Sequence, residues 1–172
     1  MKLLNRITYG EAFGAGVKQR ECVRVVLQDD DNRVAVLHIG VVDFYTLPGG
    51  GVDEGETHEQ AAFRETREET GCDCEIIREL GVIEENSKTC DMYFVNMCYL
   101  VKIKGEKGIP NYTQLETEED TRVQWHDINE VKRLISEQRT KGRDEQEDRI
   151  LKIIQERDII ILNEIIGYLY KC

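Results

Sequence analysis

The sequence has 172 residues, of which 40% are hydrophobic and 33% are charged, and its formal net charge is −11. This length and apolar content predict one folded domain with a sizeable core and exclude a disordered chain. The acidic balance disfavours a nucleic acid as the main partner, because contacts to phosphates require clustered Lys and Arg.

The sequence also lacks the patterns typical of export or of a membrane span. Residues 1–20 have no apolar core of a secretory signal, and the apolar run at 159–162 is far too short to cross a bilayer. The six cysteines form no C-x-x-C pair, so we interpret them as free thiols in a reducing compartment. We therefore expect a cytoplasmic protein.

The first part of the chain predicts three strands and then a helix. The strands are expected at 22–28, 33–39 and 41–47. An acidic segment at 29–31 separates the first two strands, and we interpret it as a turn rather than a metal site. The helix is predicted at 57–70, because Thr57 and Gln60 have capping-box spacing and Gly71 suits the position after the last turn.

The second part predicts strands, an irregular loop and helices. Strands are expected at 73–87, 92–103 and 121–126, and a polar loop at 109–120. Asp127 can cap a helix that runs to Glu137. Apolar residues recur at helical spacing over 144–170, which predicts either one long helix or two helices joined near 157–158.

The segment 50–71 concentrates acidic side chains on one predicted helix. Glu65, Glu68 and Glu69 fall within about a 100° arc of the helix surface. Like-charge pairs at this spacing cost only about 0.2–0.5 kcal/mol each, so the cluster alone does not require a ligand. The Gly-rich loop before the helix and Arg64, four residues before Glu68, favour a site for Mg²⁺ or Mn²⁺, which prefer oxygen ligands.

This segment resembles the signature of the Nudix hydrolases, G-x5-E-x7-R-E-U-x-E-E-x-G-U, where U is a bulky aliphatic residue. The fixed letters fall on Gly50, Glu56, Arg64, Glu65, Glu68, Glu69 and Gly71. The two U positions hold Thr66 and Cys72, which are smaller and more polar than usual. The likeness extends from about residue 22 to residue 137.

The resemblance implies an α/β (α+β) fold in which a mixed β-sheet is sandwiched between helices. It implies a Nudix hydrolase domain at 1–140. Residues 141–172 would then form a C-terminal helical extension, packed on the domain or at a homodimer interface.

The resemblance also implies an enzyme that hydrolyses a nucleoside diphosphate linked to another group, with Mg²⁺ as cofactor and Mn²⁺ as a substitute. The implied metal ligands are Gly50, through its carbonyl, and the side chains of Glu65, Glu68 and Glu69. The implied catalytic residues are Arg64, which would orient a glutamate, together with Glu65, Glu68 and Glu119. The general base is either a glutamate of the signature or one from the acidic loop at 116–120, where Glu119 is our choice.

Substrate contacts are expected around the glycine loop. The candidates are Tyr45, Gly49, Gly51 and Glu56, and the other aromatic residues considered are Tyr93, Phe94, Tyr112 and Trp125. The expected partner is a small nucleotide or another diphosphate. Its identity stays open among nucleoside triphosphates, ADP-ribose, dinucleoside polyphosphates and nucleotide sugars. Within the family that the segment resembles, enzymes that cleave ADP-ribose often carry a proline a short way beyond the signature. No proline lies between Gly71 and Pro110, which slightly disfavours ADP-ribose.

The resemblance leaves two other functions open on the same fold. A non-catalytic nucleotide-sensing module is the main alternative, although such modules tend to lose the glutamates that this chain keeps. An isomerase of allylic diphosphates would need additional His and Cys ligands. Neither His58 nor His126 is assigned to a site.

Overall fold

Seven strands and four α-helices make up the residues that the structure, a computed structural model, describes: 2–9, 18–87 and 92–169. The strands are β1 (Leu3–Tyr9), β2 (Lys18–Gln28), β3 (Val34–Ile39), β4 (Phe44–Thr46), β5 (Cys74–Ser87), β6 (Met92–Ile103) and β7 (Thr121–His126). The helices are α1 (His58–Thr70), α2 (Gln114–Glu118), α3 (Ile128–Glu137) and α4 (Glu145–Leu169).

The strands form a mixed sheet with the order β1-β5-β6-β2-β3-β4, and β7 pairs with the other edge of β3. β1 runs parallel to β5, β2 runs parallel to β6, and β5 and β6 are antiparallel. β2 and β3 share only the pair Gln28–Val34, so the antiparallel unit of β4, β3 and β7 diverges from the rest of the sheet.

Helices cover both faces of this sheet, as the resemblance implied. Alternate residues of β2 point to opposite faces, so Val25 packs with Ala61 and Ala62 of α1, whereas Val26 packs in a second core on the other face. The second core contains the apolar stripes of α3 and α4, including Ile161 and Ile165. The stripe of α4 is therefore buried against its own chain.

Most predicted elements are present, with three differences. The strand β1 was not predicted, and it is an edge strand whose Leu3 is half exposed. The loop predicted at 109–120 contains the short helix α2. The segment 41–47 forms a 3-10 turn at Gly40–Val42 before β4. Of the two alternatives predicted for 144–170, the structure shows the single helix, since α4 continues through 157–158.

The helix α2 forms for a local reason. The Thr113 hydroxyl accepts a hydrogen bond from the Glu116 N–H at 3.3 Å, and the Glu116 carboxylate accepts one from the Thr113 N–H at 2.7 Å. This capping box repeats the pattern that was used to predict α1.

The acidic segment at 29–31 is a turn, as predicted. The buried carboxylate of Asp29 accepts hydrogen bonds from the N–H groups of Asp31 (3.0 Å) and Arg33 (2.8 Å). Lys107 and the Arg33 side chain also donate to it, at 2.6 and 3.0 Å.

The described cysteines are free thiols, as expected: Cys22, Cys72, Cys74 and Cys98. Cys90 and Cys172 lie outside the described residues. None of the helices in the described part of the chain is long and apolar enough to cross a membrane.

Candidate active site

The helix α1 presents the acidic residues at a defined position beside the sheet. The Thr57 hydroxyl accepts a hydrogen bond from the Gln60 N–H at 3.2 Å, and the Gln60 side chain accepts one from the Thr57 N–H at 2.9 Å, which fixes the first turn. Gly71 ends the helix with a φ of 71°. With Ala61 and Ala62 buried on the sheet, the helix cannot rotate about its axis, so the positions of its glutamates are fixed.

The glycine loop lies directly across β2. The Val25 N–H donates to the Pro48 carbonyl and the Val23 N–H donates to the Gly50 carbonyl, each at 2.9 Å. Gly49 has a φ of 133°, and a Cβ there would lie 3.0 Å from Arg24 Cα and even closer to the Val23 carbonyl. The loop therefore requires glycine at position 49 both for its backbone conformation and for its close approach to the strand.

Glu69 joins the loop to the helix. Its carboxylate accepts a hydrogen bond from the Gly49 N–H at 2.7 Å, and only 7% of the residue is exposed. Burial raises the pKa of Glu69 well above its usual value, and the negative charge of Glu65 adds to this effect. A carboxylate in such a position is stabilised in its charged form when a cation binds beside it.

Arg64 connects the remaining acidic residues. It donates two hydrogen bonds to Glu56, at 3.0 and 2.9 Å, and one to the Gly51 carbonyl at 2.8 Å. It also donates to Glu65 at 2.8 Å and to Glu68 at 3.1 Å. The guanidinium thus holds the loop and two signature glutamates together.

Two of the carboxylates that Arg64 contacts, those of Glu56 and Glu65, have pKa values shifted in opposite directions. Hydrogen bonds from Arg64 lower the pKa of Glu56, so this carboxylate stays charged. Burial raises the pKa of Glu65, and the neighbouring Arg64 only partly opposes the shift. Glu56 therefore serves as the charged anchor of Arg64, whereas the charged form of Glu65 would be stabilised by an additional cation.

The donor set of the site fits a divalent metal ion, although the carboxylates are not gathered around one point. Within the described residues, no three carboxylate, imidazole or thiolate groups are spaced to hold a metal ion as they stand. The available donors are nevertheless all oxygen atoms, which suit Mg²⁺ or Mn²⁺. A Cβ on residue 50 would overlap the Glu65 carboxylate, so Gly50 also leaves space for this group beside the loop.

The acidic loop at 116–120 lies near α1, and Glu116 is one of its candidates for the base besides Glu119. The Asn111 N–H donates a hydrogen bond to the Glu68 carbonyl at 2.7 Å, which holds the start of the 109–120 segment against α1, and the negative charge of Glu116 is among the causes that raise the pKa of Glu69. Glu119, the predicted general base, has a carboxylate oxygen 3.9 Å from a guanidinium nitrogen of Arg143. The capping-box spacing of Thr113 and Glu116 predicts the start of α2 and gives no signal of a catalytic role.

The other predicted contact residues lie in varied surroundings. The Tyr45 ring stacks on His38 with 4.5 Å between centroids, and its backbone is hydrogen-bonded to Gln138. The Tyr112 hydroxyl accepts a hydrogen bond from the Val123 N–H at 2.9 Å. The two histidines that were not assigned to a site contact polar side chains, His58 that of Glu21 and His126 that of Gln124. The Trp125 ring is covered by Lys107, and Phe94 lines a cavity under α4.

This cavity, of about 130 Å³, was not predicted. It is lined by Arg24, Glu85, Phe94, Ile150, Ile153, Ile154 and Arg157. Arg24 Nε and Glu85 Oε1 are shielded from solvent and have no hydrogen-bond partner among the described residues. The same holds for the Oδ1 atoms of Asn86 and Asn96. Glu85 Oε1 lies 3.9 Å from Arg157 Nε and is thus in an ion pair without a hydrogen bond. Buried polar atoms without hydrogen bonds are costly, so these groups need an explanation beyond packing.

Arg24 of the cavity belongs to β2, the strand that holds the glycine loop. Arg24 follows Val23, whose N–H is bonded to Gly50, and the positive charge of Arg24 reaches Glu65 and Glu69 and lowers their pKa values against the effect of burial. Burial also raises the pKa of Glu85. The charge of Arg24 therefore acts both on the cavity that it lines and on the carboxylates of α1.

Comparison with known proteins explains this arrangement. The NUDIX domain model matches residues 18–148. The chain belongs to the Nudix family. The match includes the whole acidic helix and its glycine loop, and it ends within α4, so most of α4 lies beyond the matched segment.

Individual relatives of this Nudix protein are similar over shorter segments. The RNA pyrophosphohydrolase of Novosphingobium aromaticivorans is 41% identical over 70 residues, which are 39% of this chain and 43% of the relative. That of Teredinibacter turnerae is 36% identical over 66 residues, or 38% and 39% of the two chains. Each match spans about two fifths of the relative's length.

A solved structure supports the fold. The MutT NUDIX hydrolase from Burkholderia pseudomallei superposes with a TM-score of 0.51 over 65% of this chain and 85% of its own, at 23% sequence identity. The expected fold class, a mixed sheet with helices on both faces, is therefore confirmed for this Nudix protein.

Proposed function

We propose that this Nudix protein is a magnesium-dependent pyrophosphohydrolase that acts on a nucleoside diphosphate linked to another group. The observation that carries the proposal is the buried Glu69 carboxylate, which Gly49 holds at 2.7 Å beside Glu65. Glu69 and the partly buried Glu65 are close acidic neighbours with raised pKa values. Such a pair is typical of a functional site, whereas in a purely structural role it would lower the stability of the fold.

Glu65, Glu68 and Glu69, with the Gly50 carbonyl, would hold the ion. A bound Mg²⁺, or Mn²⁺ in its place, would neutralise phosphate charge and lower the pKa of a water molecule. Arg64 keeps Glu65 and Glu68 on the side of the helix that faces the loop. Glu56 keeps Arg64 in place, and the Gly49 N–H orients Glu69.

The proton acceptor is proposed to be Glu119, with Glu116 as a second carboxylate of the same loop. A carboxylate that takes a proton from water must come within hydrogen-bond distance of that water. Glu119 would have to leave its contact with Arg143, and Glu116 would have to leave the hydrogen bonds that its carboxylate accepts from Thr113. Turnover by Glu119→Gln and Glu116→Gln separates these two roles, because only loss of the base should lower kcat with little change in metal affinity.

We propose that the nucleobase of the substrate enters the cavity under α4. An apolar cavity of about 150 Å³ admits one benzene ring, so the observed volume suits one six-membered ring. Arg24 can donate a hydrogen bond to a ring carbonyl, and Glu85 can accept one from a ring N–H. The bases that fit this pair carry a carbonyl and an N–H on one edge.

The proposal is tested with a panel of nucleotides in the presence of Mg²⁺, scored for released phosphate or pyrophosphate. We expect hydrolysis of at least one nucleotide and its loss in Glu69→Gln. Glu59→Gln is the matched control, since Glu59 is an exposed residue of the same helix. Equal rates for Glu69→Gln and the wild type on every substrate would refute the assignment.

A further inference from the structure

A buried carboxylate of α4 contacts the segment that leads into the glycine loop. Asp158 is fully buried, with 0% exposure. One of its oxygens accepts hydrogen bonds from the Leu47 N–H at 2.9 Å and from the Thr46 hydroxyl at 2.8 Å. The contact joins residues 111 positions apart, and Asp158 lies beyond the segment that the family model matches.

Arg157 neutralises this buried charge. Its Nε donates to the other oxygen of Asp158 at 2.7 Å, and its Nη2 donates to the Thr46 hydroxyl at 3.2 Å. Burial lowers the pKa of Arg157, but the negative charges of Asp158 and Glu85 outweigh this effect and leave the pKa raised. Arg157 therefore carries its positive charge in the folded protein, directly against the Asp158 carboxylate.

Stability alone is a poor explanation for such a pair. Removing two charges from water is costly, and replacing a buried ion pair with apolar residues of similar volume is often neutral or stabilising. Asp158 instead accepts two directional hydrogen bonds from one short segment, one from the Thr46 hydroxyl and one from the Leu47 N–H. That geometry fixes the position of Thr46 and Leu47 more closely than apolar packing would.

The held segment is connected to Glu69 by a short and stiff path. Pro48, which follows Leu47, has a restricted φ, and its carbonyl is held by the Val25 N–H at 2.9 Å. The next residue is Gly49, whose N–H donates to Glu69 at 2.7 Å. A shift of the Leu47 backbone would therefore move the N–H that orients Glu69.

We propose that Asp158, with Arg157 as its counter-ion, is a positioning residue for the metal-binding carboxylate Glu69. The carboxylate of α4 holds Leu47, which places the Gly49 N–H against Glu69 and so sets the affinity of the site for its divalent ion. The catalytic consequence rests on the proposed function, whereas the effect on metal affinity does not require turnover.

The experiment compares the wild type with Asp158→Asn, Thr46→Val and Thr46→Ser. Mn²⁺ binding is titrated without substrate, and kcat, KM and the melting temperature are measured separately. We expect Asp158→Asn to weaken Mn²⁺ binding about tenfold, the change that corresponds to losing one hydrogen bond worth about 1.4 kcal/mol. Thr46→Val should weaken it less, and Thr46→Ser, which keeps the hydroxyl, should bind like the wild type.

A matched control and a rescue separate positioning from general destabilisation. Glu164→Gln removes the surface ion pair that Glu164 of α4 forms with Lys2 at 3.0 Å, and it should leave Mn²⁺ affinity unchanged. Saturating Mn²⁺ should restore the kcat of Asp158→Asn at an unchanged KM for the nucleotide.

Wild-type Mn²⁺ affinity in both Asp158→Asn and Thr46→Val, or a loss of kcat that excess metal does not restore, would overturn the proposal. Should Asp158→Asn fail to fold, the comparison of Thr46→Val with Thr46→Ser decides alone. A wild type that binds Mn²⁺ but hydrolyses no nucleotide would refute the proposed function and leave the positioning role to be decided by the binding data.

Discussion

The Arg64 guanidinium and the Glu56 carboxylate are joined by two parallel hydrogen bonds, of 3.0 and 2.9 Å, across the junction of the glycine loop and α1. This fork makes Glu56 the anchor of the arginine that also contacts Glu65 and Glu68. Two of the signature residues are thus assigned to holding the others in place.

Replacing Arg64 with Lys should be severe, because an ammonium cannot form the fork to Glu56 while it also reaches Glu65. We expect kcat to fall at least about tenfold and the free energy of unfolding to fall by about 1–3 kcal/mol. Arg67→Lys is the control, since Arg67 is an exposed residue of the same helix that pairs with Asp73. Similar kcat values for the two variants would contradict the role of Arg64.

Gly49→Ala should disturb the loop through a backbone clash. The added Cβ would meet the Val23 carbonyl at a φ of 133°. We expect the free energy of unfolding to fall by about 1–3 kcal/mol, as for other strained positions, together with loss of turnover. Gly55→Ala isolates the clash, because Gly55 also has a positive φ, of 80°, but nothing lies within 4 Å of its added Cβ. Equal destabilisation by the two changes, measured by urea unfolding, would remove the clash as the cause.

Asp29 gives a pH-dependent prediction. Burial tends to raise its pKa, but hydrogen bonds from Lys107 and Arg33 outweigh burial and lower the pKa below its usual value. A carboxyl with a lowered folded-state pKa contributes stability above its unfolded pKa of about 3.9, and this contribution is lost as the pH falls through the folded-state value.

Asp29→Asn should therefore be less stable than the wild type by about 1–3 kcal/mol at pH 7. The difference should stay constant down to about pH 5 and shrink in more acidic solution. Urea unfolding at a series of pH values measures it. If the difference in the free energy of unfolding between Asp29→Asn and the wild type grew as the pH fell below 4, it would contradict the lowered pKa of Asp29.

Glu85 should behave in the opposite way. Burial raises its pKa, so its contribution to stability is fully present below the unfolded pKa of about 4.3 and is lost as the pH rises through the folded-state value. Glu85→Gln has no such loss, so its melting temperature relative to the wild type should rise with pH over this window.

The same variant also tests the proposed nucleobase site. If the nucleobase binds in the cavity, Glu85→Gln should lower kcat/KM about tenfold for the preferred nucleotide and less for others. Unchanged preference among bases would remove Glu85 from the substrate pocket.

The local parts of this fold could be read from the sequence. Thr57, Gln60 and Gly71 mark the ends of α1 within a few residues, and the spacing of the glutamates follows directly from the helical repeat. The edge strand β1 was missed because its half-exposed residues do not alternate clearly between apolar and polar. The helix α2 was missed because it is short and lies in a strongly polar segment.

The long-range parts could not be derived in this way. The contact of Asp158 with Leu47 joins residues 111 positions apart, and no local pattern relates them. The cavity depends on the register of three strands, which places Arg24 of β2 and Glu85 of β5 on the same face. In the sequence, a charged residue within an apolar strand has no distinctive meaning until its neighbours are known.

The central claim is that carboxylates of α1 bind a divalent ion beside the glycine loop, and a crystal soaked in Mn²⁺ tests it most directly. The account predicts an anomalous peak ligated by Glu65 and Glu69, with the Arg64–Glu56 fork intact, and no peak in Glu69→Gln. A wild-type crystal with no peak at this helix, and with Glu65 and Glu68 still hydrogen-bonded to Arg64, would contradict it.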